Sequence, residues 1–169
     1  MLVSARAPAS YHGLVCFTCP KGPQSALKET VLISEYRIEV SLPAEFGHQD
    51  ITDQVAAWVQ TSRVRTGVVT VQTVGSTGGI TTIEYESGAV ADLRRSLEAL
   101  APVDAHYEHN ARWGDGNGYS HVRSALLKTS VSIPISGGQA QLGTWQQIVV
   151  LNFDNRSRRR SVIGVVIGE

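Results

Sequence analysis

TSVSIPISGGQAQLGTWQQIVVLNFDNRSRRRSVIGVVIG, residues 129–168, decides the fold. TSVSIPI alternates polar and β-branched residues with period two, as a strand with one buried face requires. SGGQ, residues 136–139, supplies the glycines of a hairpin turn. TWQQIVVLNF, residues 144–153, reads as the next strand, and Trp145 at its start is expected in the core, because an indole carries a large apolar area. DNRSRRR, residues 154–160, reads as a turn, and SVIGVVIG, residues 161–168, as the last strand.

Upstream, helical and strand patterns mix. TVLISEYRIEV, residues 30–40, nearly alternates and reads as a strand. DITDQVAAWVQTS, residues 50–62, places Ile51, Val55, Trp58 and Val59 at helical spacing, with Asp50 or Thr52 as a cap. GVVTVQTV (67–74) and ITTIEYE (80–86) read as strands around the glycine turn GSTGG. SGAVADLRRSLEALAP, residues 87–102, puts Val90, Leu93, Leu97 and Leu100 on one face and stops at Pro102. YSHVRSALL, residues 119–127, reads as a short helix bearing Val122, Leu126 and Leu127. Helices cluster early and strands late. That order predicts a single α+β domain over residues 27–169, a largely antiparallel sheet or sandwich with two or three helices, rather than a doubly wound parallel sheet.

Residues 1–26 differ in composition. RAPAS and CPKGPQS are rich in proline, glycine, serine and alanine, and read as an N-terminal extension. The segment carries both cysteines, Cys16 and Cys19, in CFTCP. A C-x-x-C can be half a zinc site or a redox pair. No second C-x-x-C completes a zinc site, and Pro20 and Pro23 oppose the helix a thioredoxin-like site needs, so two ordinary thiols are expected.

Fifteen basic residues balance fifteen acidic ones in the 169-residue chain. A neutral balance disfavours nucleic acid as a partner, since a chain tracking phosphates carries a positive excess. No apolar run reaches the roughly 20 residues that span a bilayer. A soluble, cytoplasmic protein without a membrane partner is the expectation.

Chemistry concentrates in HNARWGDGNGYSH, residues 109–121. His109, Asp115 and His121 suit a divalent metal such as magnesium or zinc, or proton transfer near neutral pH; Asn117 adds a donor and an acceptor. The same residues also suit a helix start, with Asn117 or Ser120 as cap and Asp115 at the positive end. Glu84 and Glu86 fall on one face of a strand, as a paired carboxylate site or a solvated face. Gln146 points away from Trp145 and can meet a ligand. Arg156, Arg158, Arg159 and Arg160 offer forks for phosphate, or a solvated turn with one arginine directed inward.

The order of these motifs resembles the YjbQ-like family, associated with a secondary thiamine-phosphate synthase activity. The resemblance runs from about residue 28 to the end. It rests on His109, Asp115, Asn117 and His121, on Pro134, on Leu142 to Gln146, and on Asp154, Arg156 and Arg158. One departure stands out: a family histidine falls on Gly75, and the asparagines flanking the family glutamate become Ile83 and Tyr85 around Glu84. The resemblance implies a homotrimer that couples a pyrimidine pyrophosphate to a thiazole phosphate and releases pyrophosphate. Glu84, Asp115, Asn117 and His121 would be catalytic. Gln146, Arg156 and Arg158 would bind the phosphate-bearing small molecule, and His109, His121 and Asp115 would hold the metal, with no organic cofactor. The alternative is a non-catalytic oligomer that binds a metal or small anion.

Overall fold

The computed structural model describes residues 31–169. The extension expected over residues 1–26, with Cys16 and Cys19, lies outside the described residues.

Long strands form where β-branched residues recur at every second position. β1 (Leu32–Leu42), β3 (Thr66–Thr73), β5 (Ser130–Ser136), β6 (Gln139–Ala140) and β8 (Arg158–Gly168) make a five-stranded sheet in the order β1-β8-β3-β5-β6. β2 (Gly47–Asp50), β4 (Gly78–Ile83) and β7 (Gln147–Asn152) make a second sheet in the order β2-β7-β4. All of these neighbours pair antiparallel. The expected α+β architecture holds.

The two sheets share one core, which includes Val40, Val69, Val71, Ile80, Ile133, Ile148, Val150, Val162 and Val166. Helix α1 (Thr52–Ser62) seals it with Val55, Trp58 and Val59. Trp58 stacks on Tyr36, with ring centroids 5.6 Å apart and planes within 8°. Gly164 makes room for the indole: a Cβ there would stand 2.4 Å from two ring carbons. The N-cap position falls on Ile51, not on Asp50 or Thr52 as expected, and has no side-chain cap; Asp50, one residue earlier, accepts from the Thr52 amide at 2.8 Å through Oδ1.

Phe153 and the other face of β7 belong to a second cluster, in which Val149, Leu151 and Phe153 pack with Phe46 and Leu97. Helix α2 (Ser87–Leu100) covers that face with Leu97, Val90 and Leu93. The uninterrupted apolar run IVVL in β7 follows from burial on both sides.

Among the described residues there are four helices, where two or three were expected. α3 (Glu108–Trp113) and α4 (Gly118–Leu127) flank a glycine turn, and α3 contains His109. α4 also turns a different face inward. Val122 and Leu126 are exposed, while Tyr119, Ser120, Arg123 and Ser124 are buried. The two serines and the arginine have partners: Ser120 Oγ donates to Asn117 O at 2.6 Å, Ser124 Oγ donates to Gly78 O at 2.7 Å, and Arg123 Nε donates to Ala101 O at 3.0 Å. Apolar periodicity alone could not anticipate a helix face anchored by hydrogen bonds. No helix among the described residues is long and apolar enough to cross a membrane.

Candidate functional site

The α3–α4 turn is shaped by glycines. Gly114 and Gly116 take φ of 67° and 62°, where side chains with a Cβ are disfavoured. The reversal brings the two helices together, so residues twelve apart in sequence meet. His109 and His121 have ring centroids 4.4 Å apart. His109 Nε2 donates to Asp115 Oδ2 at 3.1 Å, and the Asn117 amide donates to Asp115 Oδ1 at 3.2 Å. Burial acts to raise the Asp115 carboxyl, but the hydrogen bond from His109, the Asn117 amide and the nearby imidazole charge outweigh it and hold it below the ordinary aspartate range.

Asn117 occupies the N-cap position of α4 without capping it through its side chain. Its Oδ1 accepts from Ser120 Oγ at 2.5 Å and from the Asn155 amide at 3.2 Å. Asn155 Nδ2 donates to Asp115 O at 2.8 Å. The turn before β8 thus clamps the histidine turn from outside, a link with no local sequence signal.

That β8 turn is organised by buried Asp154. Its carboxylate accepts from Thr77 Oγ1 at 3.0 Å, Arg158 Nε at 2.9 Å and the Arg156 amide at 3.1 Å. Burial pushes the Asp154 carboxyl up, and the hydrogen bonds from Arg158, Thr77 and the Arg156 amide, with the Arg158 charge, reverse that and lower it. Arg156 is exposed, and Arg158 is about half-exposed with its Nε committed to Asp154. Arg160 is the arginine directed inward. Only 6% exposed, it donates from Nε to Asn152 Oδ1 at 3.1 Å and from Nη2 to Thr77 O at 2.9 Å. Strand parity carried the signal for it, because Arg160 shares the inward phase of Val162, Gly164 and Val166.

Other expected residues do not converge within one chain. Glu84 is exposed just past the end of β4, and Glu86 accepts from the Ala89 amide as the N-cap of α2, so the two do not act as a strand-face pair. Gln146 Nε2 donates to Thr82 Oγ1 at 3.0 Å, and its Oε1 accepts from the Gly143 amide at 3.1 Å, so it braces a turn. Trp145, expected in the core, is 72% exposed, because that turn lies outside both sheets. Helix α4, which carries His121, meets the opposite end of β4 through Ser124 at Gly78. Glu84 is six residue steps along from Gly78, roughly 20 Å at the usual rise, which removes Glu84 and Gln146 from the histidine cluster of the same chain.

The expected magnesium or zinc site finds His109, His121 and Asp115 side by side. Yet one His109 nitrogen is engaged by Asp115, and no group of three His, Cys, Asp or Glu among the described residues is placed to hold an ion. The arrangement as built suits proton exchange between imidazole and carboxylate better than chelation.

A family model described as UPF0047 protein YjbQ-like matches residues 36–169. A UPF0047 protein of Methanothermobacter thermautotrophicus is 39% identical over 116 residues, which cover 69% of this chain and 80% of that protein. The UPF0047 protein YjbQ of Salmonella typhimurium is 30% identical over 121 residues, 71% of this chain and 85% of that one. Among solved structures, a YbjQ-like protein of unknown function from Sulfolobus solfataricus superposes with a TM-score of 0.79 at 26% identity, over 83% of this chain and all of that one. A YjbQ/UPF0047 protein of Clostridium acetobutylicum gives a TM-score of 0.68 at 30% identity, over 79% of this chain and 98% of that one.

Proposed function

This chain belongs to the YjbQ-like UPF0047 family, and we propose that it is a transferase of the thiamine-phosphate synthase type, working in the cytoplasm as a homotrimer. The substrates would be a pyrimidine pyrophosphate and a thiazole phosphate. The carbon–oxygen bond to the pyrophosphate breaks, the thiazole nitrogen takes the carbon, and pyrophosphate leaves. The observation that carries the reading is the packing of His109, Asp115 and His121 into one cluster. Asp115 accepts from His109 Nε2 and holds that ring in one orientation, and an imidazole that carries a proton can neutralise the departing oxygen. Asn117, fixed by Ser120 and Asn155, keeps the turn in shape. Arg156 is the freer of the two expected phosphate-binding arginines, since Arg158 is spent on Asp154. A resident metal ion forms no part of the reading, because the donors do not converge as a chelate.

The test is turnover of both precursors with magnesium present, followed as thiamine phosphate. Wild type should form product, and His121→Ala, with unchanged circular dichroism, should lose about a hundredfold or more in kcat. Absence of product from the wild-type protein refutes the reading. A second reading, binding of a small anion without turnover, is favoured by the distance of Glu84 and Gln146 from the cluster and by glycine at position 75. Equilibrium dialysis that finds tight phosphate binding without product would select it.

A further inference from the structure

Arg160 leaves part of its guanidinium unused. Nε and Nη2 are committed to Asn152 and Thr77, whereas Nη1 donates to no group among the described residues. Among the described residues, Nη1 is also not one of the sealed polar atoms that lack a partner. It faces Gly75. A Cβ built there would meet Arg160 Nη1 at 3.1 Å and nothing else within 4 Å, and Gly75 holds φ of 126°, a conformation that side chains resist.

Gly75 lines an open recess of about 430 Å³ together with Ser76, His121, Ser124 and Lys128. No carboxylate among the described residues lines it. Asp154 lies 4.0 Å from Arg160 and already accepts from Thr77, Arg158 and the Arg156 amide. Two arginines share that one buried carboxylate, so a positive charge stays uncompensated beside the recess. A guanidinium fixed on two edges, with its third edge free, is pre-organised for an oxyanion, since its hydrogen bonds need no further ordering.

We infer that this recess binds the terminal phosphoryl group of a small molecule, with Lys128 on its wall as the exposed cation and with Arg160 Nη1, which stands behind Gly75 and not on the wall itself, as the second donor. The inference deepens the reading above, because the recess shares His121 with the histidine cluster. Its test reads binding rather than turnover, so the two can fail separately.

Calorimetric titration of the full chain with inorganic phosphate, and separately with pyrophosphate, at fixed ionic strength is the experiment. Wild type should bind both. Lys128→Gln, at an exposed position, should weaken binding about tenfold or more, the usual effect of losing a charge-assisted contact. Gly75→Ala should weaken it without removing any charge, by placing a methyl group against Nη1. Arg160→Lys should weaken it most; because that variant also disturbs a buried network, the first two substitutions decide. Phosphate affinity that Lys128→Gln and Gly75→Ala both leave unchanged would put the anion elsewhere and overturn the inference, as would no binding by wild type. Phosphate binding that falls in both variants, in a protein that never couples the thiamine precursors, would support the recess while refuting the transferase.

Discussion

Replacing Asp154 with asparagine tests how the β8 turn holds the histidine turn. The carboxylate accepts three hydrogen bonds and lies beside the buried charge of Arg160. Asparagine keeps one acceptor oxygen but turns a second acceptor into a donor, which must then face an N–H or hydroxyl group already donating. Breaking a buried charge pair costs roughly 3–5 kcal/mol. The Arg158 share is reduced, because that side chain is half in water. The expected loss is therefore about 2–4 kcal/mol, or roughly 1–2 M in the urea midpoint for a slope near 2 kcal/mol/M. The pH dependence follows from the lowered carboxyl. A group whose pKa is depressed on folding stabilises the native state above its unfolded pKa, and that stability is lost as pH falls through the folded value. The gap between wild type and Asp154→Asn should thus be full at pH 7, persist to about pH 5, and close only in stronger acid as the wild-type carboxyl takes up its proton. Urea unfolding at one protomer concentration, followed by circular dichroism, measures both arms. A gap below about 1 kcal/mol at pH 7, or one that widens in acid, would refute the reasoning.

Three further outcomes follow from the same geometry. Gly164→Ala should cost about 1–3 kcal/mol by overpacking against Trp58, with part of the Tyr36 stack lost; an unchanged urea midpoint would contradict the contact. Carbon-13 NMR should find the Asp115 carboxyl titrating below an ordinary aspartate, and His109→Ala should return it upward; no change on substitution would mean the imidazole does not hold it. Arg123→Met should destabilise by about 2–4 kcal/mol, since it strips the donors from Ala101 O and the partner from Glu98; a neutral effect in chemical denaturation would show that those groups find water instead.

Strand positions were legible wherever side-chain alternation and burial agree. β8 is such a case, with Val162, Gly164 and Val166 inward. α1 was equally plain, because its spacing and its Asp50 entrance point the same way. α4 was recognised as a helix, but its buried polar face was not, since hydrophobic counting gives no weight to an arginine and two serines that satisfy their hydrogen bonds inside. Trp145 misled for the same reason: size and apolarity favour burial but do not say whether a turn carries the ring there.

For the site, the sequence by itself determined the local half. Glycines at 114 and 116 let the chain reverse tightly, and that brings His109, Asp115 and His121 together, although the helix α3 that carries His109 left no readable period. Only the tertiary structure decided what surrounds them. It clamped the turn with Asn155, drew Arg160 inside beside Gly75, and left Glu84 and Gln146 at the far end of the small sheet. The division has a physical cause. Backbone conformation within a dozen residues is set by local sterics and hydrogen bonding, whereas the meeting of β8, β4 and α4 depends on how two sheets share one core, an energy spread over side chains far apart in the chain.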